Sequence, residues 1–232
     1  MVVAIAVVGA LAGCSGALTP GTTGSGQEAS EQRDVAAFER IEVAGQTAVT
    51  VASGNPSVIV RGDDNLIGEV VTDVNDGTLT IDERRHVDPR AGLVVEVTAP
   101  RLRAAAVHGS GALTARDVAG GPFTATLDGS GDLTIDGVDA DVFTGDLSGS
   151  GNLDAAGQAE RVDLAASGSG EADLRDLAAS EATVDVTGSG DALVQVTQIL
   201  QASSSGSGDV IYTGDPQDVQ ENTSGSGDIR PQ

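Results

Sequence analysis

Side chains with carboxylate or amide oxygens recur at one position in the second half of the chain, directly after a repeated Gly-Ser-Gly motif. These residues are Asp132, Asn152, Glu171, Asp191, Asp209 and Asp228. Oxygen ligands of this kind bind hard cations such as Ca²⁺, and a cation that bridges two carboxylates relieves their mutual repulsion. A cation-binding or ligand-binding face is therefore one hypothesis for this chain, and a solvated acidic surface is the simpler alternative.

The details of the pattern do not match a known calcium repeat. The short Ca²⁺-binding β-roll is built from nonapeptides of the form Gly-Gly-x-Gly-x-Asp, and the chain has neither this motif nor this spacing. We therefore expect no metal ion or other cofactor, and a Ca²⁺-dependent binding module remains the alternative.

Residues suited to catalysis are sparse. His86 and His108 have no cysteine or histidine near them in the sequence, and the acids are spread over all the repeats. A glycosidase needs two carboxyl groups that flank one bond, and the hydrolase elbow is Gly-x-Ser-x-Gly followed by a helix. We expect a non-catalytic protein, with a polysaccharide-processing β-helix enzyme as the weaker alternative.

The motif itself organises the chain and positions the acids. It occurs seven times, and its first glycines are spaced by 20, 20, 19, 20, 18 and 19 residues: Gly109, Gly129, Gly149, Gly168, Gly188, Gly206 and Gly225. A period near 20 residues that persists in this way is typical of stacked-repeat proteins. Glycine suits a corner where neighbouring layers of backbone approach closely.

Between the motifs, apolar residues alternate with polar ones at the period of a β-strand. After Gly131, for example, they stand at Leu133, Ile135, Phe143 and Leu147. Each repeat is too short for a strand and a crossover helix, which need about 30 residues.

These features predict an all-β fold, a parallel β-helix of about seven coils with 18–20 residues each, over residues 106–232. Leu113, Leu133, Leu153 and Leu174 are expected near one interior column. An antiparallel sandwich or meander is the alternative, but its hairpin signals would alternate along the chain, whereas here one motif recurs at one phase.

Residues 35–105 lack the motif but contain six strand-like runs. They lie around Ile41–Val43, Val49–Val51, Val58–Val60, Val70–Val74, Leu79–Ile81 and Leu93–Val97. Terminal units of repeat proteins are usually atypical, so this N-terminal β segment is expected to cap the solenoid. Arg84, Arg85, His86 and Arg90 fall in a polar loop that we expect to be solvated.

The first residues indicate export. Residues 2–12 form an uncharged apolar run that ends in Leu11-Ala12-Gly13-Cys14, which resembles the lipobox of bacterial lipoproteins. The resemblance implies that residues 1–13 are a signal peptide and that Cys14 is lipidated, so that the membrane is one partner. Since no Lys or Arg precedes the run, although secretory signals begin with positive charge, the true start is expected upstream. Residues 14–34 are rich in small and polar residues, and we predict a disordered tether there.

The charge of the chain excludes some partners. Its formal net charge is −23 and its pI is about 4.1, whereas binding to nucleic acid depends on cationic contacts. We therefore expect no nucleic-acid partner.

The repeated Gly-Ser-Gly-Asp, the segment Pro100-Arg101-Leu102 and the segment Tyr212-Thr213-Gly214-Asp215-Pro216 resemble the GIN-type head domain, a family also called putative auto-transporter adhesin or DUF2807. The resemblance covers residues 37–229, and it implies a β-helical fold on exported lipoproteins of the bacterial cell envelope. We expect an adhesin-like binding or structural module with an unidentified envelope or extracellular ligand, and the oligomeric state is left open.

Overall fold

The computed structural model describes residues 21–232. Its 19 β-strands are β1 Thr22–Thr23, β2 Glu28–Arg33, β3 Arg40–Val43, β4 Ala48–Ser53, β5 Ser57–Asp63, β6 Val70–Asn75, β7 Thr78–Glu83, β8 Val87–Asp88, β9 Leu93–Ala99, β10 Ala104–Gly109, β11 Ala112–Arg116, β12 Phe123–Gly129, β13 Asp132–Gly149, β14 Asn152–Gly168, β15 Ala172–Gly188, β16 Ala192–Gly206, β17 Val210–Thr213, β18 Asp218–Gly225 and β19 Ile229–Pro231. A 3-10 helix spans Ile67–Glu69. No helix among these residues is long and apolar enough to cross a bilayer.

The strands wind into a solenoid of about six turns with parallel neighbours, which confirms the predicted fold class. A front side consists of β3, β10, β12, the last parts of β13 to β16, and β18. A rear side consists of β4, β11, the first parts of β13 to β16, β17 and β19. The middle parts of β13 to β16 form a shorter third side, where Ala140 pairs with Ala159 and Ala159 pairs with Ala179.

The Gly-Ser-Gly motif is the corner between the front and rear sides. The carbonyl of Gly109 accepts hydrogen bonds from the backbone N–H groups of Ser130 at 2.8 Å and Gly131 at 3.0 Å. The same two bonds recur at every later corner, from Ser150 and Gly151 onward. A side chain at Gly149 would begin 2.2 Å from the carbonyl oxygen of Gly129. Glycine is therefore required because successive corners stack backbone directly on backbone.

The interior is a narrow apolar column. Leu113, Leu133 and Leu153 pair in register and are buried, and the rings of Phe123 and Phe143 stack with centroids 6.1 Å apart. Since aromatic residues make up only 2% of the chain, aliphatic side chains fill most of this space.

The predicted column of four leucines is wrong at its last member. Leu153 pairs with Ala172, and Leu174 pairs with Val194 in the neighbouring interior column. The reason is position: Leu153 stands two residues after Gly151, whereas Leu174 stands four residues after Gly170.

Residues 35–105 both extend and cap the solenoid. β7 and β9 form a layer beneath β3 and β4 with parallel pairing. Antiparallel strands then end the stack: β6 on the front side, and β5 followed by β2 on the rear side. Arg33 joins the two caps, since its guanidinium donates to the carbonyls of Val70 at 2.7 Å and Ile67 at 2.8 Å.

The predicted disordered tether is wrong for residues 22–33. β1 pairs with β8, and β2 pairs with β5. Gly24-Ser25-Gly26, which composition predicts to be a linker, is held in place: the N–H of Ser25 donates to Asn65 Oδ1 at 2.8 Å, and the N–H of Gly26 donates to the carboxylate of Asp63. Cys14 and the residues up to 20 lie outside the described part of the chain.

Composition misleads here for a physical reason. β2 is an edge strand with mostly exposed side chains, and backbone hydrogen bonds hold it to β5. Such pairing leaves no apolar period in the sequence from which a strand can be predicted.

Candidate binding face

The outward side chains of the front side form continuous columns, because the strands pair in register. One column consists of Thr126, Asp146, Ala165, Asp185, Ser203 and Asn222. The next column consists of Asp128, Ser148, Ser167, Thr187, Ser205 and Ser224. We call these two columns the front face. It is a surface of short side chains with hydroxyl, amide and carboxylate groups, and every second residue along each strand contributes to it.

A groove crosses the front face at Ala165. Because the methyl group of Ala165 is short, it leaves a gap between Asp146 and Asp185, which lie in the layers on either side. The groove has a volume of about 250 Å³, and the hydroxyl groups of Thr126, Ser148, Ser167 and Thr187 belong to its lining. A second hollow of about 350 Å³ shares Asp185 and continues toward β18.

The acids of this groove have no ion-pair partner within the described chain, as is true of most acids there. Within residues 21–232, eight arginines form ion pairs with Asp or Glu, and none of these pairs includes Asp128, Asp146 or Asp185. Arg161 lies at the edge of the front side and pairs with Asp163 at 2.8 Å. The groove is therefore anionic and has no cation of its own among the described residues.

The six residues that follow the motifs do not form one uniform column. Asn152 donates from Nδ2 to Asp132 Oδ1 at 3.1 Å. Farther along, Asp191 Oδ1 accepts the N–H of Asp209 at 2.8 Å, and Asp209 Oδ1 accepts the N–H of Asp228 at 2.9 Å. Glu171 lies between these two groups, and its carbonyl accepts the N–H of Leu153 at 2.9 Å.

A change at the corner separates the two groups. Asp132 and Asn152 are the first residues of their strands, whereas β15, β16, β17 and β19 begin one residue later, after Glu171, Asp191, Asp209 and Asp228. In the later corners the acid belongs to the bend, so its carboxylate can reach the backbone of the next layer. The carboxylates of Asp191 and Asp209 are hydrogen-bonded within the stack in this way, in contrast to those in the groove of the front face.

The pKa values of the acids follow these contacts. The N–H of Asp228 lowers the pKa of Asp209 below its ordinary value, against the effect of burial, and Arg230 adds to the lowering. On the rear side, burial raises the pKa of Asp154, and the nearby charges of Asp173 and Asp132 raise it further. Like charges from neighbouring layers therefore act on Asp154, and Asp132 and Glu171 of the acidic row are among them.

Among residues 21–232, no group of three or more His, Cys, Asp or Glu side chains is arranged to hold a metal ion. The Ca²⁺ hypothesis for the six residues stays a prediction, and the contacts described above support it no further.

The fold brings together two residues that the sequence keeps apart. His86 and His108 line one pocket of about 340 Å³ together with Glu83 and Arg85. The Glu83 carboxylate already accepts hydrogen bonds from the backbone N–H of Gln46 and from the hydroxyl of Thr47. The sequence does not predict that these two histidines are neighbours, because His108 belongs to β10 and His86 to the loop before β8. That loop is exposed, as predicted.

The chain can be compared with known proteins. The model of the family described as "Putative auto-transporter adhesin, head GIN domain" matches residues 37–216. No curated protein matches the chain.

Several solved structures have a similar fold. A putative adhesin from Bacteroides fragilis is 19% identical with a TM-score of 0.82, and the match covers 91% of this chain and 100% of that one. A putative lipid binding protein from Parabacteroides distasonis is 23% identical with a TM-score of 0.75, covering 92% and 100%. A putative adhesin from the same species is 24% identical with a TM-score of 0.66, also covering 92% and 100%. At these identities the likeness shows the fold alone.

Proposed function

Since the chain belongs to the family of putative auto-transporter adhesin head GIN domains, we propose that it is a non-catalytic binding module of the bacterial cell envelope, displayed on an N-terminal lipid anchor. The family and the similar solved structures are named for adhesion or binding rather than for catalysis.

The observation that carries this proposal is the front face. It offers a groove of about 250 Å³ lined by carboxylates and hydroxyls on a stack of parallel strands. A surface held by consecutive backbone ladders is rigid, and rigid elements lose little entropy when they bind a ligand. The face has hydrogen-bonding groups for recognition, and nothing in its geometry requires a chemical step.

The lipid anchor is proposed on the tetrapeptide that ends at Cys14. Only seven residue steps separate Cys14 from Gly21, where the described part of the chain begins, and at full extension they reach about 25 Å. The anchored end therefore joins the solenoid at its capped, N-terminal end. The front-face groove lies several layers away from that end, on β12 to β15, and would project from the membrane.

The first experiment tests the lipid anchor and the display on the cell. The full chain should partition with membranes, carry acyl mass on Cys14 and be accessible to protease on intact cells, whereas Cys14→Ser should remain unprocessed or be shed. Two acyl chains are expected to anchor stably where one does not. Soluble protein without acyl mass, or protein inaccessible on intact cells, would overturn the display model.

Binding itself is tested by pull-down from envelope extract with the full chain, compared with Asp146→Lys combined with Asp185→Lys. We expect one ligand to be retained by the unaltered chain and lost from the variant. Release of a chemically altered product instead would contradict the non-catalytic function.

A further inference from the structure

We propose that the front face binds an extended cationic peptide segment, with Asp146 and Asp185 each receiving one of two basic side chains that stand three residues apart. This inference rests on the proposed function as a binding module, and it names the class of ligand.

The first argument is charge complementarity. Asp128, Asp146 and Asp185 belong to the groove lining, and no arginine of the described chain forms an ion pair with them. Some acids on neighbouring strands already have a cationic partner, since Asp163 pairs with Arg161 and Asp173 pairs with Arg175. A basic side chain supplied by a partner would therefore find carboxylates that have no competing intramolecular cation.

The second argument is the shape of the groove. Ala165 lies between Asp146 and Asp185 in one column. The backbone of a bound peptide that runs across the strands can therefore lie close to Ala165, while two of its side chains extend to the carboxylates on either side. Ser167 and Thr187 lie along the wall. The Ser167 hydroxyl donates to the carbonyl of Leu147 at 3.3 Å and can still accept a hydrogen bond from a peptide N–H, whereas the Thr187 hydroxyl can accept or donate. A larger residue at position 165 would fill this space.

The third argument is spacing. Asp146 and Asp185 are two layers apart, which is about 9.6 Å for parallel strands. A polyproline II segment rises about 9.3 Å in three residues, and it presents every third side chain on the same side. Basic residues at positions i and i+3 of such a segment therefore match the two carboxylates. Residues at i and i+2 of an extended β-strand are only about 6.7 Å apart and do not match.

A peptide fits this face better than a sugar chain does. Sugar rings commonly stack on aromatic side chains, and the front face has none. Phe38, Phe123 and Phe143 are buried inside the solenoid, and Tyr212, the only other aromatic residue, lies on the rear side.

The test measures the affinity of the full chain, in mild detergent, for the peptide acetyl-(Lys-Pro-Pro)4-amide labelled with a fluorophore. We expect saturable binding that weakens with added NaCl. Asp146→Asn combined with Asp185→Asn should weaken it about tenfold, since each exposed ion pair contributes modestly. Ala165→Gln, which removes no charge, should also weaken binding.

A matched control separates the groove from net charge. Asp141→Asn combined with Glu160→Gln removes two charges from exposed positions away from the front face and should change the affinity less than about twofold. A peptide of the same composition with its four lysines contiguous should bind several times more weakly than the regular one. Equal losses in the two double variants, or equal affinity for the two peptides, would overturn the proposal.

The outcomes also separate this inference from the function on which it rests. If the peptide does not bind but the anchored chain still retains an envelope ligand through its front face, only the cationic-peptide proposal fails. If the chain is not displayed at all, the proposed function fails, whatever the affinity for the peptide.

Discussion

Glu83 accepts a hydrogen bond on Oε2 from the backbone N–H of Gln46 at 3.2 Å. At every later corner, the N–H groups of the Ser and second Gly bond to the carbonyl of the glycine beneath them. The layer beneath Gln46 has Glu83 at this corner instead of a glycine motif, and the carboxylate takes the place of the glycine carbonyl. The column of corner hydrogen bonds therefore begins with a side-chain acceptor, Glu83, and continues with the glycine carbonyls of the later corners.

The first prediction concerns this start. Glu83→Ala leaves the N–H of Gln46 and the hydroxyl of the buried Thr47 without their acceptor, which should cost about 1–3 kcal/mol of unfolding free energy. Chemical denaturation followed by circular dichroism measures the loss. Glu83→Gln keeps an acceptor oxygen and should lose less, so a larger loss for Gln than for Ala would contradict this role.

The second prediction concerns a repeated corner. Gly149 has φ of +117°, and an added Cβ would lie 2.2 Å from the carbonyl oxygen of Gly129. Gly149→Ala should therefore destabilise the fold by more than about 2 kcal/mol, since backbone strain and a steric clash with backbone combine. Gly68→Ala is the control, because nothing lies within 4 Å of the Cβ position there. Equal melting temperatures for the two variants would show that the corners tolerate side chains.

The third prediction concerns stability in acid. Burial raises the pKa of Asp63, but the N–H groups of Ala91, Gly26 and Arg90 outweigh this effect, so the pKa lies below its ordinary value. The resulting stability is complete above the unfolded-state pKa, about 3.9, and is lost as the pH falls through the lower folded-state pKa. Asp63→Asn should be less stable than the unaltered chain at pH 7, and the difference should shrink below pH 4.

Unfolding in urea at several pH values measures this difference. Asp88→Asn, at an exposed position nearby, is the matched control and should follow the unaltered chain. A constant difference between Asp63→Asn and the unaltered chain across this range would rule out the linkage to the Asp63 carboxylate.

The fourth prediction has the opposite sign. Asp154 is an exposed residue, but partial desolvation of its carboxylate, together with the charges of Asp173 and Asp132, raises its pKa. A raised pKa means that the folded state disfavours the charged form, so ionised Asp154 destabilises the fold at neutral pH and protonation relieves this. Asp154→Asn should raise the melting temperature at pH 7 and change it little below pH 4. Asp141→Asn, at an exposed position, is the control, and an equal rise there would point to net charge alone.

The fifth prediction concerns cations. Asp191 and Asp209 already accept backbone N–H groups of the next layer on their carboxylates, so we expect salt to act on the chain by screening. CaCl₂, MgCl₂ and NaCl at matched ionic strength should then raise the melting temperature by similar amounts. A bound ion instead predicts a rise that saturates with Ca²⁺ concentration. If such a rise occurs and is abolished by Asp132→Asn combined with Asp191→Asn, Ca²⁺ stabilises the chain by binding at a specific site and not by screening.

Some of the architecture is already present in the sequence. The glycine corners and the apolar residues at every second position are local features, and each repeat carries them. Because every coil must meet the same steric demand at its corner and bury the same face of its strands, a parallel β-helix follows from the repeat alone. The strand-like runs of residues 35–105 are predicted for the same reason, and all six correspond to strands.

Other features were decided only by contacts between layers. A one-residue difference in where strands begin separates Asp132 and Asn152 from Asp191, Asp209 and Asp228, and no local pattern marks it. β2 is held by backbone pairing to β5 and by the Arg33 side chain at its end, and neither contact leaves an apolar period in the sequence. The groove exists because register places the short side chain of Ala165 between Asp146 and Asp185. Local periodicity determined the coil, whereas the register between coils decided which side chains share a surface, because hydrogen bonds between distant segments set that register.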